Sequence, residues 1–435
     1  MDNIKQVAVA GLGTVGGEVV ECLLKNAGGL AGRSGVQLNL TAVADPDPPP
    51  RFDDGKLKKV DRYDDVLELL DNENPDVFVE LIGGVGVARQ AIEKALKSGL
   101  DVVTANKELL AKNGEQIFEV ARNNGGRIRF EASVGGSIPV VRTIRESFVS
   151  AELTEIYGII NGTANYVLSR MESDNQKFSE ALKLAKDRGY AEADPSYDIE
   201  GDDSAHKLAI IAALAFGGRV PLENIYCEGI TGISPEIIED ARRLGYRIKL
   251  LGIAKKVNGG LDIRVHPTMI PRNSALAAVC NEYNAVYLQG EPVGSSMLYG
   301  KGAGGPATSS AVLADVIDLA AGRKEVEAPV YFSDTPLAPV AVEEVKTRYY
   351  IRLSAVDKPG VLARVTRILG HWEISIETVI QHGRSGEEDE EVPVILTTHK
   401  AREGAMQAAV EEITELNVIG SRPEVIRIEE GFEGE

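Results

Sequence analysis

Short apolar runs alternate with amphipathic segments along residues 4 to 135. This alternation predicts strands and helices in turn, which is typical of an α/β fold with a parallel sheet and helices on both faces. The predicted strands cover residues 5–10, 37–44, 77–82, 101–104 and 127–131. The predicted helices cover residues 16–26, 66–70, 88–98 and 107–123, the last with a break near Gly114.

The pattern changes near residue 138. Helical periodicity covers residues 163–171, 178–188 and 204–216, and strand-like pieces cover residues 153–160, 248–255, 263–269, 285–289 and 291–295. This mixture predicts an α+β second domain over residues 138–304. The glycine-rich segment 300–305 then leads into a helix over 305–322, which we expect to return to the first domain, residues 1–137.

Residues 348–435 have the pattern of a separate small domain. Its predicted strands are 349–356, 375–381, 392–398 and 425–428, and its predicted helices are 361–369 and 401–416. The order βαββαβ is the ferredoxin-like arrangement. Several prolines and charges in residues 323–347 predict a linker before this domain.

Chain length, net charge and cysteine content limit the possible partners and the cellular location of the protein. A chain of 435 residues is long enough for two or three domains. Its net charge of -19 argues against nucleic acids and anionic membranes as partners. No apolar run approaches the ~18 residues that span a bilayer, and the early first strand leaves no room for a signal peptide. The distant cysteines Cys22, Cys227 and Cys280 indicate reduced thiols in a cytoplasmic protein.

A glycine-rich turn between the first predicted strand and helix is a candidate dinucleotide site. It consists of Gly11, Leu12, Gly13, Thr14, Val15 and Gly16. Gly11 permits the tight turn, Gly13 lets the backbone approach a pyrophosphate, and Gly16 lets the helix pack on the strand. The positive end of the helix favours the anion. The alternative interpretation is a tight turn without a ligand.

Asp45 lies at the end of the second predicted strand. In this fold an acidic residue there bonds the ribose 2′-hydroxyl and repels a 2′-phosphate, which favours NAD over NADP. The alternative is that Asp45 only begins the proline-rich turn 45–50.

An acidic segment precedes the apolar helix predicted at 204–216. It holds Glu192, Asp194, Asp198, Asp202 and Asp203, and it delivers Lys207 on the first turn of the helix. Asp203 and Lys207 are four residues apart, so they share a helix face and can pair. A lysine beside carboxylates near a buried surface can supply a proton. The alternative is an acidic surface loop with an ordinary ion pair at a helix start.

Four further positions follow strand-to-helix or glycine-rich signals. Lys107 stands at the carboxyl edge of the parallel sheet, where ligands bind in open α/β folds, or is a solvated lysine at a helix start. Asn161 and Thr163, in the turn 161–166, offer side-chain and backbone hydrogen-bond donors, or Thr163 only caps a helix. Gly302, in the segment 300–305, places its backbone against the cofactor or belongs to a flexible connection.

Several of these motifs together resemble one family. The longest is Ala185-x3-Gly189-Tyr-Ala-x2-Asp194-Pro-x2-Asp198-Ile-x-Gly201-x-Asp203-x3-Lys207. It resembles the signature of homoserine dehydrogenases, and the segments 11–16, 104–107, 131–139 and 161–166 match the family in order. The resemblance covers about three quarters of the chain. The remainder resembles an ACT domain, with the turn Asp357-Lys-Pro-Gly360.

The resemblance implies a Rossmann-type nucleotide-binding domain, an α+β substrate and dimerisation domain, and a ferredoxin-like ACT domain. It implies the interconversion of L-homoserine and L-aspartate 4-semialdehyde with NAD or NADP, in the biosynthesis of threonine, methionine and isoleucine. Lys207 would then donate and accept the proton, Asp203 would orient Lys207 or the substrate, and Lys107 would lie at the reacting centre and the cofactor. Which lysine carries the proton stays open; we favour Lys207.

The same resemblance implies further ligands and partners. Glu192 would bind the substrate's α-amino group, with Asp198 and Thr163 also at the substrate. A sodium or potassium ion would be held by Glu131, Val134, Gly136 and Ile138, largely through backbone carbonyls. The ACT domain would sense an amino acid, with threonine as the expected effector, or serve only to dimerise. A homodimer or homotetramer is expected.

Two other functions remain as alternatives. One is another NAD(P)-dependent dehydrogenase of an amino-acid-derived aldehyde; neither Cys227 nor Cys280 lies in the active-site turn that an aspartate-semialdehyde dehydrogenase needs. The other is a ligand-sensing regulator without catalysis. Four intact residues argue against it: Lys107, Glu192, Asp203 and Lys207.

Overall fold

The computed structural model describes residues 4–52, 57–257, 260–322, 337–381 and 391–432. The chain divides into two compact units. The first unit comprises Met1–Gly162, Asp202–Ile225 and Glu282–Leu337. The second unit comprises Thr163–Gly201, Tyr226–Asn281 and Ala338–Glu435. The predicted linker residues 323–336 lie outside the described residues.

The strands are numbered in chain order. They are β1 (Ile4–Ala10), β2 (Gln37–Ala44), β3 (Asp61–Tyr63), β4 (Val77–Glu80), β5 (Asp101–Thr104), β6 (Ile128–Arg129), β7 (Glu152–Ile159), β8 (Tyr226–Cys227), β9 (Tyr246–Val257), β10 (Gly260–Pro271), β11 (Tyr283–Glu291), β12 (Gly294–Lys301), β13 (Lys346–Val356), β14 (Ile376–Gln381), β15 (Glu391–Thr398), β16 (Ala401–Arg402) and β17 (Glu424–Ile428).

The helices are numbered in the same way. They are α1 (Thr14–Ser34), α2 (Val66–Asn72), α3 (Val87–Lys97), α4 (Lys107–Asn124), α5 (Val140–Arg142), α6 (Gly162–Asp174), α7 (Phe178–Asp187), α8 (Ser196–Ile199), α9 (Asp202–Phe216), α10 (Pro235–Arg243), α11 (Gly305–Ala320), α12 (Val361–His371) and α13 (Glu403–Thr414).

The first unit contains a parallel sheet with the strand order β3-β2-β1-β4-β5-β6. The α/β prediction is therefore confirmed. The strand order reverses between β1 and β4, and ligands bind beside such a point at the carboxyl ends of the strands. Ala10 pairs with Glu80, and Glu80 pairs with Thr104. The carboxyl ends of β1, β4 and β5 therefore lie side by side at one edge of the sheet. The segments after these three strands therefore meet at this edge.

Helix α11 packs on α1 and on the parallel sheet of the first unit. Val312 and Val316 of α11 share a buried cluster with Val19 of α1 and with Val7 and Val9 of β1. Burial of an apolar helix face against the sheet is the main source of stability for such an element. Helix α11 therefore shares the apolar core of the parallel sheet.

An antiparallel group of strands completes the sheets of the first unit. Strand β11 pairs with β7 and with β12. The predicted strand 291–295 is wrong, because the chain turns after Glu291 and β12 begins at Gly294. Strand β12 continues to Lys301, so only the last part of the predicted glycine-rich loop lies outside the sheet.

Other corrections concern the ends of elements. Helix α4 has no break at Gly114, because this glycine is buried within a continuous helix. The predicted strand 127–131 is shortened to β6, since the backbone turns into a 3-10 helix at Glu131–Ser133. Helix α1 extends to Ser34 across a kink at Asn26, and α13 begins at Glu403 because β16 pairs with β13.

The second unit contains strands in the order β9-β10-β17-β13-β15-β14. Its C-terminal part has the predicted ferredoxin-like order, with α12 after β13 and α13 before β17. Strand β17 pairs antiparallel with β13 and parallel with β10, where Thr268 lies opposite Arg427. The C-terminal sheet is thus continuous with the β9–β10 hairpin of the same unit. Strand β13 begins at Lys346, two residues before the predicted domain start at 348.

The described residues contain no helix with the length and apolar character needed to cross a membrane. Cys22, Cys227 and Cys280 are free thiols.

Candidate active site

Two lysines of the first unit meet at one buried carboxylate. Asp203 Oδ2 accepts hydrogen bonds from Lys207 Nζ at 2.7 Å and from Asn161 Nδ2 at 2.8 Å. Lys107 Nζ donates to Asp203 Oδ1. Lys207 Nζ also donates to the Ile160 carbonyl at 2.8 Å. The structure therefore brings together the three residues for which a catalytic role is predicted.

The local sequence explains how Asp203 and Lys207 come to pair. Helix α9 begins at Asp202, two residues earlier than predicted, so Lys207 lies on its second turn rather than its first. Asp203 and Lys207 are one turn apart on the same helix face. Lys107, the first residue of α4, reaches Asp203 from a position 96 residues away in sequence.

The charges of this cluster are buried to different degrees. Asp203 is 2% exposed and Lys207 is 9% exposed, whereas the Lys107 side chain is 33% exposed. Burial of Asp203 raises the pKa of its carboxyl, but the charges of Lys207 and Lys107 outweigh this effect and hold the pKa well below its usual range. Asp203 is therefore ionised.

Asn161, which the strand-to-helix turn 161–166 offers as a hydrogen-bond donor, also contacts Asp203. Its amide donates to the same Asp203 oxygen as Lys207. Asn161 is 4% exposed. Because its contact joins positions 42 residues apart, the spacing of residues along the chain carries no signal for it.

The glycine-rich turn has the close contacts that its sequence predicts. Gly11 has a φ of +88°, and a Cβ at Gly16 would lie 1.8 Å from the Gly11 carbonyl oxygen. Side chains are therefore excluded at both positions. Gly13 is the N-cap residue of helix α1, Thr14 and Val15 are its first two residues, and nothing lies within 4 Å of a Cβ at Gly13. An exposed backbone at a helix N-terminus can hold a phosphate group.

Asp45 contacts the turn directly. Its Oδ2 accepts a hydrogen bond from the Leu12 N–H at 2.6 Å, and its Oδ1 accepts one from the Asp47 N–H at 2.9 Å. The carboxylate thus fixes the backbone of the glycine-rich turn and begins the proline-rich turn.

Arg51 lies beside the same turn and was not predicted. Its Nη2 donates to the Gly13 carbonyl at 3.2 Å, and its Nη1 lies 3.1 Å from Glu18 Oε1. A Cβ at Gly17 would lie 1.6 Å from Arg51 Nη2. The chain reaches this position only by folding the proline-rich turn back over α1, so no local pattern indicates it.

Gly302 lies between β12 and α11. A Cβ at Gly302 would lie 2.1 Å from the Asn284 side chain, and a Cβ at Gly136 would lie 2.7 Å from the Gly302 carbonyl oxygen. Ser137 N–H donates to the Lys301 carbonyl at 3.2 Å. The segment that contains Gly302 therefore packs on the turn 135–138.

The predicted cation ligands lie in this turn and just before it. The Glu131 carboxylate accepts hydrogen bonds from the Val141 N–H at 2.9 Å and the Arg142 N–H at 2.7 Å. The carbonyls of Glu131 and Ile138 accept hydrogen bonds from Val134 and Val140. Each carbonyl oxygen has two lone pairs, so a carbonyl that accepts one hydrogen bond can still ligate a cation. Hard cations bind oxygen ligands of this kind. Among the described residues, side chains of His, Cys, Asp and Glu form no group able to hold a metal ion.

The predicted substrate residues lie in the second unit. The Thr163 hydroxyl lies 2.6 Å from the Tyr190 carbonyl and 3.0 Å from Asp198 Oδ2. Thr163 is inside helix α6, which begins at Gly162, so the helix-cap alternative is wrong. Glu192 is exposed. Asp194 accepts a hydrogen bond from the Ser196 N–H at 3.0 Å.

Family models match most of the chain. Residues 11–131 match the model "Homoserine dehydrogenase, NAD binding domain", residues 139–317 match "Homoserine dehydrogenase", and residues 349–416 match "ACT domain". A homoserine dehydrogenase of Pseudomonas aeruginosa is 40% identical over 434 residues, which cover 98% of this chain and 99% of that protein. The chain belongs to the homoserine dehydrogenase family.

Other relatives agree with this assignment. A homoserine dehydrogenase of Corynebacterium glutamicum is 37% identical, with 97% of this chain and 95% of that protein covered. The crystal structure of a homoserine dehydrogenase from Thiobacillus denitrificans matches with a TM-score of 0.90 and 39% identity over 98% of each chain. The protein is thus an NAD(P)-dependent oxidoreductase with a nucleotide-binding domain and a C-terminal ACT domain.

A more distant structure shares the fold. It is a hyperthermophilic archaeal homoserine dehydrogenase in complex with NADPH, with a TM-score of 0.64 and 23% identity. The match covers 74% of this chain and 100% of that one.

Proposed function

We propose that the protein interconverts L-homoserine and L-aspartate 4-semialdehyde, with Lys207 as proton donor and acceptor. The observation that supports this role is the position of Lys207 Nζ, which is buried and held between Asp203 Oδ2 at 2.7 Å and the Ile160 carbonyl at 2.8 Å. Two fixed partners orient the ammonium group.

Reduction of an aldehyde needs a proton donor beside the carbonyl oxygen. Reduction of the aldehyde moves a hydride from the nicotinamide to the carbonyl carbon, and negative charge grows on the carbonyl oxygen. An ammonium group beside that oxygen stabilises the charge and gives up a proton, and the neutral amine accepts it in the reverse direction. Asp203 keeps Lys207 in place, and its own low pKa keeps it out of the proton transfer.

Lys107 is the second candidate for the proton carrier. It contacts the other oxygen of Asp203, and its side chain is more exposed than that of Lys207. We propose that Lys107 lies at the reacting centre and contributes positive charge to it.

The test follows NAD(P)H absorbance with homoserine for Lys207→Ala, Lys107→Ala and the control Lys112→Ala. Lys112 lies on the exposed side of α4 and pairs only locally with Glu108. We expect Lys207→Ala to lose turnover by at least ~100-fold while it still binds the cofactor. Near-normal turnover of Lys207→Ala, with a large loss in Lys107→Ala, would transfer the role to Lys107.

We propose that Glu192 binds the α-amino group of homoserine, with Asp198 and Thr163 also at the substrate. Glu192 is exposed and is thus available to a ligand, and Thr163 lies within hydrogen-bond distance of Asp198. A carboxylate is the natural partner of an ammonium group. Glu192→Gln should raise the KM for homoserine more than it lowers kcat, while the exposed control Glu200→Gln should leave both unchanged.

We propose that the nucleotide site accepts NADP as well as NAD. Both oxygens of Asp45 already accept backbone hydrogen bonds, and Arg51 supplies a positive charge beside Gly13. These observations support a site that tolerates a 2′-phosphate. The bound cofactor supplies the hydride, and the glycine-rich turn binds and orients it.

We propose that a sodium or potassium ion is held through the backbone carbonyls of Glu131, Val134, Gly136 and Ile138. Their donor class suits such an ion. Replacement of both ions by choline should lower turnover and the melting temperature together. Unchanged values of both would contradict the proposal.

We propose that the ACT domain binds threonine and inhibits the enzyme. Gly360 has a φ of +89° and stands directly before α12, which leaves open backbone at a helix start. The test should use the full chain. Strand β17 of the ACT domain pairs with β10, and removal of the ACT domain would expose the edge of β10. Asp357→Ala should abolish threonine inhibition and keep basal turnover. Absence of any threonine effect on the unmodified chain would favour a purely dimerising domain, with a homodimer or homotetramer measured by light scattering.

A further inference from the structure

Glu80, the last residue of β4, is a fully buried carboxylate that belongs to none of the sequence motifs. It is 0% exposed. Neutral groups donate hydrogen bonds to it, among them the Ile82 and Gly83 N–H groups and the Thr104 hydroxyl. Burial raises the pKa of Glu80, and these hydrogen bonds oppose the rise. Burying a carboxylate without a cation is expensive, so a position that only fills space would favour an apolar side chain.

One oxygen of Glu80 fixes the turn that follows β4. Oε1 accepts the Ile82 N–H at 2.8 Å and the Gly83 N–H at 2.9 Å. Ile82 is 41% exposed and Val85 is 40% exposed. The carboxylate thus holds in place a turn with an unusual amount of exposed apolar surface. The turn stands beside the glycine-rich turn, since a Cβ at Gly11 would lie 2.5 Å from the Leu81 carbonyl oxygen.

The other oxygen fixes the start of α4. Oε2 accepts the Thr104 hydroxyl at 2.6 Å, and Thr104 Oγ1 accepts the Asn106 N–H at 3.0 Å. Asn106 caps α4 by accepting the Leu109 N–H at 3.1 Å. The next residue is Lys107, whose ammonium contacts Asp203.

The turn after β4 and the start of α4 are also joined directly. Asn106 Nδ2 donates to the Gly84 carbonyl at 2.7 Å, which closes a ring of hydrogen bonds through Glu80 and Thr104. Thr104 is 0% exposed and Asn106 is 7% exposed. A closed and buried network of this kind holds its members in one arrangement.

We propose that Glu80 is a positioning residue for the dehydrogenase reaction. Through Thr104 and Asn106 it sets the first turn of α4 and thereby the backbone of Lys107, and through Ile82 and Gly83 it shapes the turn that stands beside the glycine-rich turn. Its effect on turnover rests on the proposed place of Lys107 at the reacting centre. Small errors in such positions are costly, since a displacement of about 1 Å lowers rates by ~100-fold.

The test compares Glu80→Ala with Val77→Ala. Val77 is the first residue of β4, is also 0% exposed and lies at the opposite end of the strand. Both variants should lower the melting temperature. Only Glu80→Ala should lower kcat by ~100-fold and raise the KM for NADPH. Thr104→Ser, which keeps the hydroxyl, should retain activity within about threefold, and Thr104→Val should lose part of it.

A double-variant cycle shows whether Glu80 acts through Lys107. In a Lys107→Ala background the further loss of kcat from Glu80→Ala should shrink to less than about threefold, because residues that act as a unit are not additive. Full additivity would overturn the proposal, and so would equal kinetics of Glu80→Ala and Val77→Ala. If the unmodified protein does not turn over homoserine, the proposed reaction fails; if Glu80→Ala retains the activity of an active parent, only the role of Glu80 fails.

Discussion

Asp203 and Lys207 form a buried ion pair, with 2.7 Å between Oδ2 and Nζ. The pair occupies one turn of α9, and Lys107 approaches the opposite oxygen of the carboxylate. A single buried anion thus fixes two ammonium groups that come from different helices of the first unit. This arrangement makes Asp203 the residue on which both lysines depend.

Loss of the Asp203 charge should therefore harm both activity and stability. Asp203→Asn removes the negative charge beside buried Lys207, and breaking a buried pair costs about 3–5 kcal/mol. We expect kcat to fall at least ~10-fold and the free energy of unfolding to fall by that amount, measured by steady-state kinetics and urea denaturation. Asp202→Asn, at the neighbouring exposed position, is the control and should change neither quantity. Unimpaired turnover of Asp203→Asn would contradict the site.

Arg51 should influence the choice between NADP and NAD. Its guanidinium lies beside Gly13, and a positive charge there favours a 2′-phosphate over a hydroxyl. Arg51→Ala should raise the KM for NADPH by ~10-fold, about 1.4 kcal/mol of binding, with little change for NADH. Arg62→Ala, on exposed strand β3, is the matched control. Equal effects of Arg51→Ala on the two cofactors would show that Arg51 does not discriminate.

Lys249 should make stability depend on pH above neutrality. Burial lowers the pKa of Lys249 from 10.5 to about 8. Between these values the unfolded chain binds a proton that the native state does not, so stability should rise with pH across this window. Relative to Lys249→Met, the unmodified protein should gain on the order of 1–3 kcal/mol in its free energy of unfolding from pH 7.5 to 10.

The exposed Lys256→Met serves as the control for loss of a positive charge on the same strand. It should keep the pH slope of the unmodified protein. Identical slopes for the unmodified protein and Lys249→Met would mean that Lys249 titrates as in water.

Loss of the Arg264 side chain should strongly destabilise the second unit. It is 2% exposed and contacts Asp262 Oδ1 at 2.8 Å and Glu429 Oε1 at 2.9 Å. Arg264→Met leaves these buried carboxylates without this partner and should lower the free energy of unfolding by about 3–5 kcal/mol. Arg243→Met removes an exposed pair on α10, which water screens, and should cost far less. Comparable losses in the two urea titrations would argue against a special role for the buried cluster.

The sequence indicated most elements because their signals are local. Alternation of apolar and polar positions predicted the parallel sheet, and the strand-to-helix context predicted the glycine-rich turn. Predictions erred where a neighbouring segment decides the outcome. Gly114 stays helical because it is packed, and Ala401–Arg402 is drawn into β16 by pairing with β13. A propensity for helix cannot register a partner strand that lies far away in the chain.

The sequence by itself determined the pairing of Asp203 with Lys207, because four residues on a helix always bring two side chains to one face. Only the tertiary structure decided that Lys107 reaches the same carboxylate, that Arg51 lies at Gly13 and that Glu80 joins two turns. These contacts span 96, 38 and 24 residues. They exist because the sheet brings the ends of separate strands to one edge, and no local spacing encodes which side chains will meet there.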